Sequence, residues 1–485
     1  MSVHTPAELI EIARAGLALG GQRPSGGSSQ LAAEVYLTHT HKGMARFAVG
    51  EVGQHMSIDE PEAQVRVAIG ARVGEASTSD LTPQGVALAV RNAAQLAELS
   101  PPRDPFAGFA HAGDGGDPPE ALHLGERWSD HTANAGPEAR AEALRPLLSI
   151  IRDGGLIAAG ALQTIATSLA LVTTHGIARG HRSTIASARC WALETAGAGG
   201  ASGFDSALGR EISDLHLERL ARRAVADARD ARENSRTLPA GTYDVVLEPE
   251  AVASLLEWLG AIAFGANEVE QGSSLLAGRR GERVTGDRVT IADDPTANDP
   301  AIAVAPFDRE GSPRRRVVCI DHGIASEVLY DRTTGMRAGV KSTGSGITGW
   351  ARGVTPGPCA LRMDGGDAPS VEALLAQMGT GLHVRRFHYV NGFLEPRRAV
   401  MTGLTRDGTF LIEGGKRVAS VGNLRFTDSV VEAFARIEAA TRAVRAVGSH
   451  YADDSAIRAP ALLIRGFTFT SGTPPATQLV DAPQP

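Results

Sequence analysis

The sequence predicts an α+β protein: an N-terminal two-lobed α/β part, followed by a C-terminal, mainly antiparallel, β-barrel-like domain. Three observations carry this expectation. The order helix, strands, helix occurs twice before residue 240. After residue 240, short segments that alternate apolar and polar residues between turn signals dominate. At 485 residues the chain is too long for one ordinary core.

The first helix is expected at about 6–19, with Thr5 as N-cap and Pro6 at the first helical position. Extended segments follow around 33–40, 44–50 and 63–71, then a helix around 83–98. The stretch 100–136 is dense in Pro, Gly and Asp and reads as a connection with little regular structure. A second helix at 137–152 leads to β-rich runs at 155–163, 166–174 and 182–193. The helix at 211–233 closes this block, with Leu215, Leu217, Leu220 and Ala224 facing inward. The repeated order suggests a duplication. The division is therefore 1–99, 100–136, 137–239, a β-rich domain over 240–475 and a flexible tail over 476–485. Within the last domain, "TRDGTFLIEGGKRVAS" is a strong hairpin signal, and so many hairpins fit a sheet curled towards a barrel.

Composition excludes several function classes. Hydrophobic residues at 42% and charged residues at 21% are those of a globular protein. A net charge of −7 argues against a nucleic-acid partner, which would need clustered Lys and Arg. The densest basic run, Arg314, Arg315 and Arg316, reads as a solvated turn. No run of about 18 apolar residues exists to cross a bilayer, and no basic leader opens the sequence. Three scattered cysteines, Cys190, Cys319 and Cys359, fit a reducing, cytoplasmic setting. Cys319 reads as a small core residue; Cys359 is a loop cysteine with no histidine near it in sequence.

From residue 240 the order of segments becomes recognisable: "YDVVLEPEAVASLL", "SSLLAGRRGERVTGDRVTIADDP", "GSPRRRVVCIDHGIASEVLYDRTTG", "GLHVRRFHYVNGF", "RDGTFLIEGGKRVASVGNLRFTDS" and "APALLIRGFTFTSG". This series resembles the TldD/PmbA family of metallopeptidases and their partner subunits. The earlier stretch beginning "MARFAVGEVGQHMSIDEPEAQVRVAIG" fits as well. The resemblance implies cytoplasmic dimers that trim or degrade unfolded peptides. In the catalytic type it implies a zinc on a helix carrying H-E-x-x-x-H, with a cysteine supplied later. Such a site needs three protein ligands, an open position for water, and a carboxylate base.

The ligand pattern is missing here. No pair of the fourteen histidines matches it, and none lies between His216 and His322. The segment "SLLEWLGAIAFGAN" keeps an apolar stripe (Val252, Leu255, Leu256, Leu259, Ile262, Ala263) at helical spacing. The resemblance places the family's ligand and base positions on Glu257, Trp258 and Ile262. The segment expected to supply the cysteine, "RAVGSHYADDSAIR", offers only His450, Asp453 and Asp454, a solvated acidic loop. His383 and His388 are five apart on a β-like run and point to opposite faces, as half-exposed strand residues. His39 and His41 share one strand face with usable metal spacing, but read as a solvent-facing hairpin end. His175 and His181 read as loop residues.

The resemblance therefore implies a chain of the TldE/PmbA-like, metal-ligand-free type. Such a chain has no catalytic or metal-ligating residue and no cofactor of its own, with zinc expected in a TldD-like partner. It would be the non-catalytic subunit of a heterodimeric zinc metallopeptidase acting on unfolded peptides. Tyr330, Asp331, Arg332, Thr343, Ser345 and Arg362 are the candidate peptide groove, in segments rich in Gly, Ser and Thr. A homodimeric peptide-binding scaffold, or a peptidase with an unconventional metal site, are the alternative expectations.

Overall fold

The structure is a computed structural model that describes residues 3–21, 31–114, 127–195, 200–233, 235–297, 299, 301–349, 353–449 and 456–472. The expected tail, 476–485, and His450, Asp453 and Asp454 lie outside the described residues. The chain begins as its sequence requires. Helix α1 (Pro6–Gly20) opens on a capping box in which Thr5 accepts from the Glu8 N–H and Glu8 accepts from the Thr5 N–H, with Pro6 in the first turn. Strands β1 (Ala32–Ala48), β2 (Glu51–Ile69) and β3 (Arg72–Thr78) follow, then α2 (Pro83–Leu99). After the short α3 (Asp130–Ala133), the second block comprises α4 (Pro137–Asp153), β4 (Ile157–Thr173), β5 (Ala178–Leu193), β6 (Ser202–Gly209) and α5 (Leu217–Glu233).

The two expected lobes are joined in one sheet. The six strands run β3-β2-β1-β4-β5-β6, so the two blocks meet antiparallel through β1 and β4 from Glu34↔Thr173 to Phe47↔Gly160. The segments expected at 33–40 and 44–50 are a single strand, as are those at 155–163 and 166–174. Lys42-Gly43 does not turn, because β2 and β4 both continue to pair across it. Each edge strand carries a glycine where a helix passes close. A Cβ would meet the Ala93 carbonyl of α2 at 2.0 Å from Gly74, and the Ala224 carbonyl of α5 at 2.0 Å from Gly203. On one face Ala33, Val35 and Leu37 pack under α1 and α2, while Ala45 and Phe47 pack under α4 and α5. His39 and His41 lie between these two helix pairs. They are mid-strand and largely buried, not at a hairpin end.

The C-terminal part holds the expected mainly antiparallel strands in two larger sheets and a two-stranded one. One sheet of eight strands runs through Gly381–Glu395, Gly241–Leu247, Leu462–Gly472, Leu424–Ser429, Val400–Glu413, Lys416–Val421 and Ser235–Arg236, with Ile437–Ala440 alongside. Gly381–Glu395 also pairs with Val400–Glu413. The six-stranded sheet includes Ile291–Asp293, Leu361–Met363 and Ala456–Ala459.

Helix α6 (Pro249–Ala263) is the core of this half. All six residues of its apolar stripe are buried, and so are Ala251, Ala253 and Trp258. It is a helix apolar nearly all round, which only a fully enclosed position stabilises. Proline at its start needs no N–H donor partner.

Its N-terminus is tied to the first half of the chain by buried ions. Glu248, the N-cap, accepts from Arg385 Nη1 at 2.6 Å and lies 3.0 Å from His383 Nε2. Arg385 Nε also donates to Asp227 of α5 at 2.7 Å, and its Nη2 lies 3.8 Å from Asp205 of β6. Arg417 reaches Asp227 at 2.8 Å, Arg445 reaches Asp205 at 3.1 Å, and Ser206 donates to Glu250. Burial alone would raise the Glu248 carboxyl; Arg385, with His383 and Arg223, holds it well below the usual range. His383 is therefore buried in this network, not half-exposed, while His388 on the opposite face is exposed. Arg385→Met leaves Asp205, Asp227 and Glu248 short of a buried cation, so the full chain should lose on the order of 3–5 kcal/mol in urea unfolding. Arg145→Ala, an exposed control, should change stability by less than about 0.5 kcal/mol.

Candidate functional site

Only Glu257 and Ala261 of the central turns of α6 retain exposed surface. Glu257 accepts a hydrogen bond from Ser449 Oγ, at the end of the strand Arg445–Gly448. The helix and the segment that the family resemblance pairs as ligand sources therefore do meet. What they bring together is a carboxylate and a hydroxyl. Trp258 is 7% exposed and packs edge-on against Phe393, with ring centroids 4.9 Å apart. Ile262 is 3% exposed within the main core. Residues 257 and 262 thus occupy different environments, the first half-buried in the middle of the helix and the second inside the core. Ser449 went unremarked in the sequence, because a lone serine beside His450 carries no spacing signal.

The six candidate groove residues fall into three places. Tyr330, Thr343 and Ser345 form one cluster: the Tyr330 N–H donates to Thr343 Oγ1 at 2.8 Å, and the Thr343 and Ser345 hydroxyls are 2.8 Å apart. Thr343 and Ser345 are buried. Asp331 caps the short helix Arg332–Ala338 by accepting from the Thr334 N–H at 2.7 Å. Arg332 turns towards the first half of the chain, pairing with Asp114 at 3.0 Å. Arg362 stands on the strand Leu361–Met363, in register with Arg458, and donates to Asp364 at 3.1 Å.

Between the open face of the first sheet and the C-terminal half lies a cavity of about 310 Å3. Tyr36, Thr167 and Ser183 line it from the sheet; Asp308, Arg314 and Cys359 line it from the other side. Arg314 is buried here, donating to the carbonyls of Phe307 and Gly344 at 3.2 and 2.9 Å, so only Arg315 and Arg316 of the basic run face solvent. Cys359 lies 3.6 Å from Asp293, and burial pushes its thiol far up, which makes it a poor nucleophile. Cys319 is buried in its strand, as the sequence suggests, with its thiol pushed up in the same way. His181 is a strand residue whose ring lies 3.3 Å from the Ala303 carbonyl, and burial lowers it to about 4.

The loop Asp308-Arg309-Glu310 fastens this junction. Arg309 donates to Glu34 at 2.7 Å and lies over the Tyr36 ring at 4.1 Å. Asp308 accepts from the N–H groups of Glu310, Ser312 and Gly346 at 2.8–3.0 Å. Burial, with Asp308 and Asp331 nearby, pushes the Glu310 carboxyl up to about 8 against the pull of Arg66. The folded chain therefore holds a proton that the unfolded chain has released, and this contribution to stability is lost as pH rises from about 4.5 to about 8. Glu310→Gln removes that loss. Its melting temperature should gain on the wild type's between about pH 5 and about pH 8.5. A constant difference across that range would refute the assignment.

Residues 240–471 match the family described as PmbA/TldA metallopeptidase C-terminal domain. The chain is 28% identical over 320 residues to a metalloprotease named PmbA from Escherichia coli O157:H7, covering 64% of this chain and 66% of that one. It is 26% identical over 331 residues to a PmbA homologue of Haemophilus influenzae, covering 66% and 68%. Its matches span from about a quarter to about two thirds of the length of the first curated relatives. Its fold is that of the TldE crystal structure from Thermococcus kodakarensis: TM-score 0.83 over 96% of this chain and 100% of that one, at 18% identity.

Proposed function

We propose that this chain is a TldE-like member of the TldD/PmbA family and the non-catalytic subunit of a two-chain zinc peptidase. Its partner is a TldD-type chain that brings the zinc, and its substrate is an unfolded peptide enclosed between them. One observation carries this reading. The helix position that bears the metal in the catalytic type holds Glu257, bonded to Ser449, with Trp258 and Ile262 packed into the core. A catalytic zinc needs three ligands and an open coordination position. Among the described residues the position offers one carboxylate and one hydroxyl, which do not supply them.

The family's dimeric habit supports a role for the fold without chemistry of its own. A chain that keeps α6 as a packing element can still shape a chamber and present strand edges to a peptide backbone. Three buried or scattered thiols support a reducing, cytoplasmic setting. No described helix is long and apolar enough to cross a membrane.

The test is hydrolysis of an unfolded peptide by the full chain alone, by a TldD-type chain alone, and by the mixture. The chain alone should cleave nothing above background. The mixture should cleave in a zinc-dependent manner, and Glu257→Gln should leave its kcat within about twofold. Chelator-sensitive cleavage by the unmixed chain, abolished by Glu257→Gln, would show an active site where we place a packing contact.

A further inference from the structure

The cavity of about 310 Å3 between the first sheet and the C-terminal half is lined by a carboxylate, Asp308, and by two guanidiniums, Arg309 and Arg314, all of them buried. Arg309 is engaged by Glu34 and Gln64. Asp308 and Arg314, 1% and 8% exposed, have no such counter-charge in contact. Arg314 Nε and Nη1 donate to the carbonyls of Phe307 and Gly344; among the described residues Nη2 has no acceptor and Arg314 forms no ion pair. Asp308 acts on it only across space. Asp308 Oδ1 accepts two backbone N–H groups, whereas Oδ2 accepts one, from Gly346 at 2.9 Å. A carboxylate oxygen can take two, so Oδ2 keeps an open acceptor position. Gly346 leaves that oxygen uncovered, since a Cβ there would stand 3.0 Å from it. Burial raises the Asp308 carboxyl against the pull of Arg314 and of these N–H groups, so its charge is under-compensated.

The other walls are apolar: Ile165, Leu169 and Ile185 from the sheet, Phe307 and Ile347 from the opposite side. Thr348 is exposed at the rim, with Thr167 and Pro358 half-buried beside it, and there the cavity meets solvent. Its volume of about 310 Å3 lies at the lower end of small-molecule sites. An anion alone would be repelled by Asp308, and a cation alone by Arg314. An uncharged apolar molecule would leave both buried charges unpaired. A small molecule that carries both charges beside an apolar group satisfies every wall.

We propose that this cavity binds a free apolar α-amino acid, its carboxylate on Arg314, its ammonium on Asp308 and its side chain against Ile165, Leu169 and Ile185. L-Leucine is the probe. The ammonium and carboxylate of an amino acid stand on adjacent carbons, so the molecule bridges two groups of opposite sign that do not reach each other. The end of a peptide brings only one of these charges and leaves the other wall unpaired. A free amino acid is what exhaustive hydrolysis of a peptide releases, but the site lies within this chain and stands whether or not a partner cleaves.

The site is tested by calorimetric titration of the full chain with L-leucine. One molecule should bind saturably per chain, and it should raise the melting temperature. N-acetyl-leucine, which lacks the ammonium, and leucinamide and the dipeptide Leu-Gly, which lack the adjacent carboxylate, should each bind about 100-fold more weakly. Ser183→Leu fills the cavity without touching either charged group. It should weaken leucine binding by more than about 10-fold while circular dichroism stays that of the folded chain. The ligand series is read on the wild type, so the test holds even if Ser183→Leu fails to fold. Absence of saturable leucine binding overturns the proposal. So does N-acetyl-leucine, leucinamide or Leu-Gly bound as tightly as leucine, or leucine bound unchanged by folded Ser183→Leu.

Discussion

Arg385 is the residue on which the arrangement of the two halves depends. It reaches the N-cap carboxylate of α6, an aspartate of α5 and an aspartate of β6 from a single strand of the C-terminal sheet. A lone guanidinium in such a place would cost far more than it returns. Here it is surrounded by carboxylates that would themselves be intolerable without it. The demand is mutual, and it fixes where α6 begins. The opening of the helix, its contact with Ser449 and the edge-on packing of Trp258 all follow from that anchored end.

A second junction works by a different balance. Around Glu310, burial and the carboxylates of Asp308 and Asp331 outweigh the pull of Arg66, and the Glu310 carboxyl keeps its proton. The first junction is charged and matched, whereas the second is partly neutral and titratable. Both hold the first sheet against the C-terminal half, and the second loses strength as pH rises from about 4.5 to about 8.

The elements that repeat with a period were legible in the sequence. Thr5-Pro6 and the stripe of α6 announced their helices by capping and spacing, and Leu215, Leu217, Leu220 and Ala224 are inward as read. Strand lengths were less legible. Lys42-Gly43 carries a turn signal, but pairing on both sides overrides it. Buried charge was not legible at all. Nothing local distinguishes Arg314 or Arg385 from the solvated Arg315 and Arg316, since what buries them arrives from remote segments. The same holds for Asp59 and His4, which join His39 only through strand register and the approach of α1.

The palindromic strand order has a further consequence. Because β1 and β4 are the two central strands, a cut at the boundary between the blocks does not release two finished domains. It bares a long hydrogen-bonding edge on each piece, in the middle of what was a continuous sheet. Either piece could recover that edge by pairing with another copy of itself, antiparallel, across the line where the other block had been. The boundary in sequence and the unit that folds cooperatively are therefore different objects, and a history of duplication would be recorded in the seam between β1 and β4.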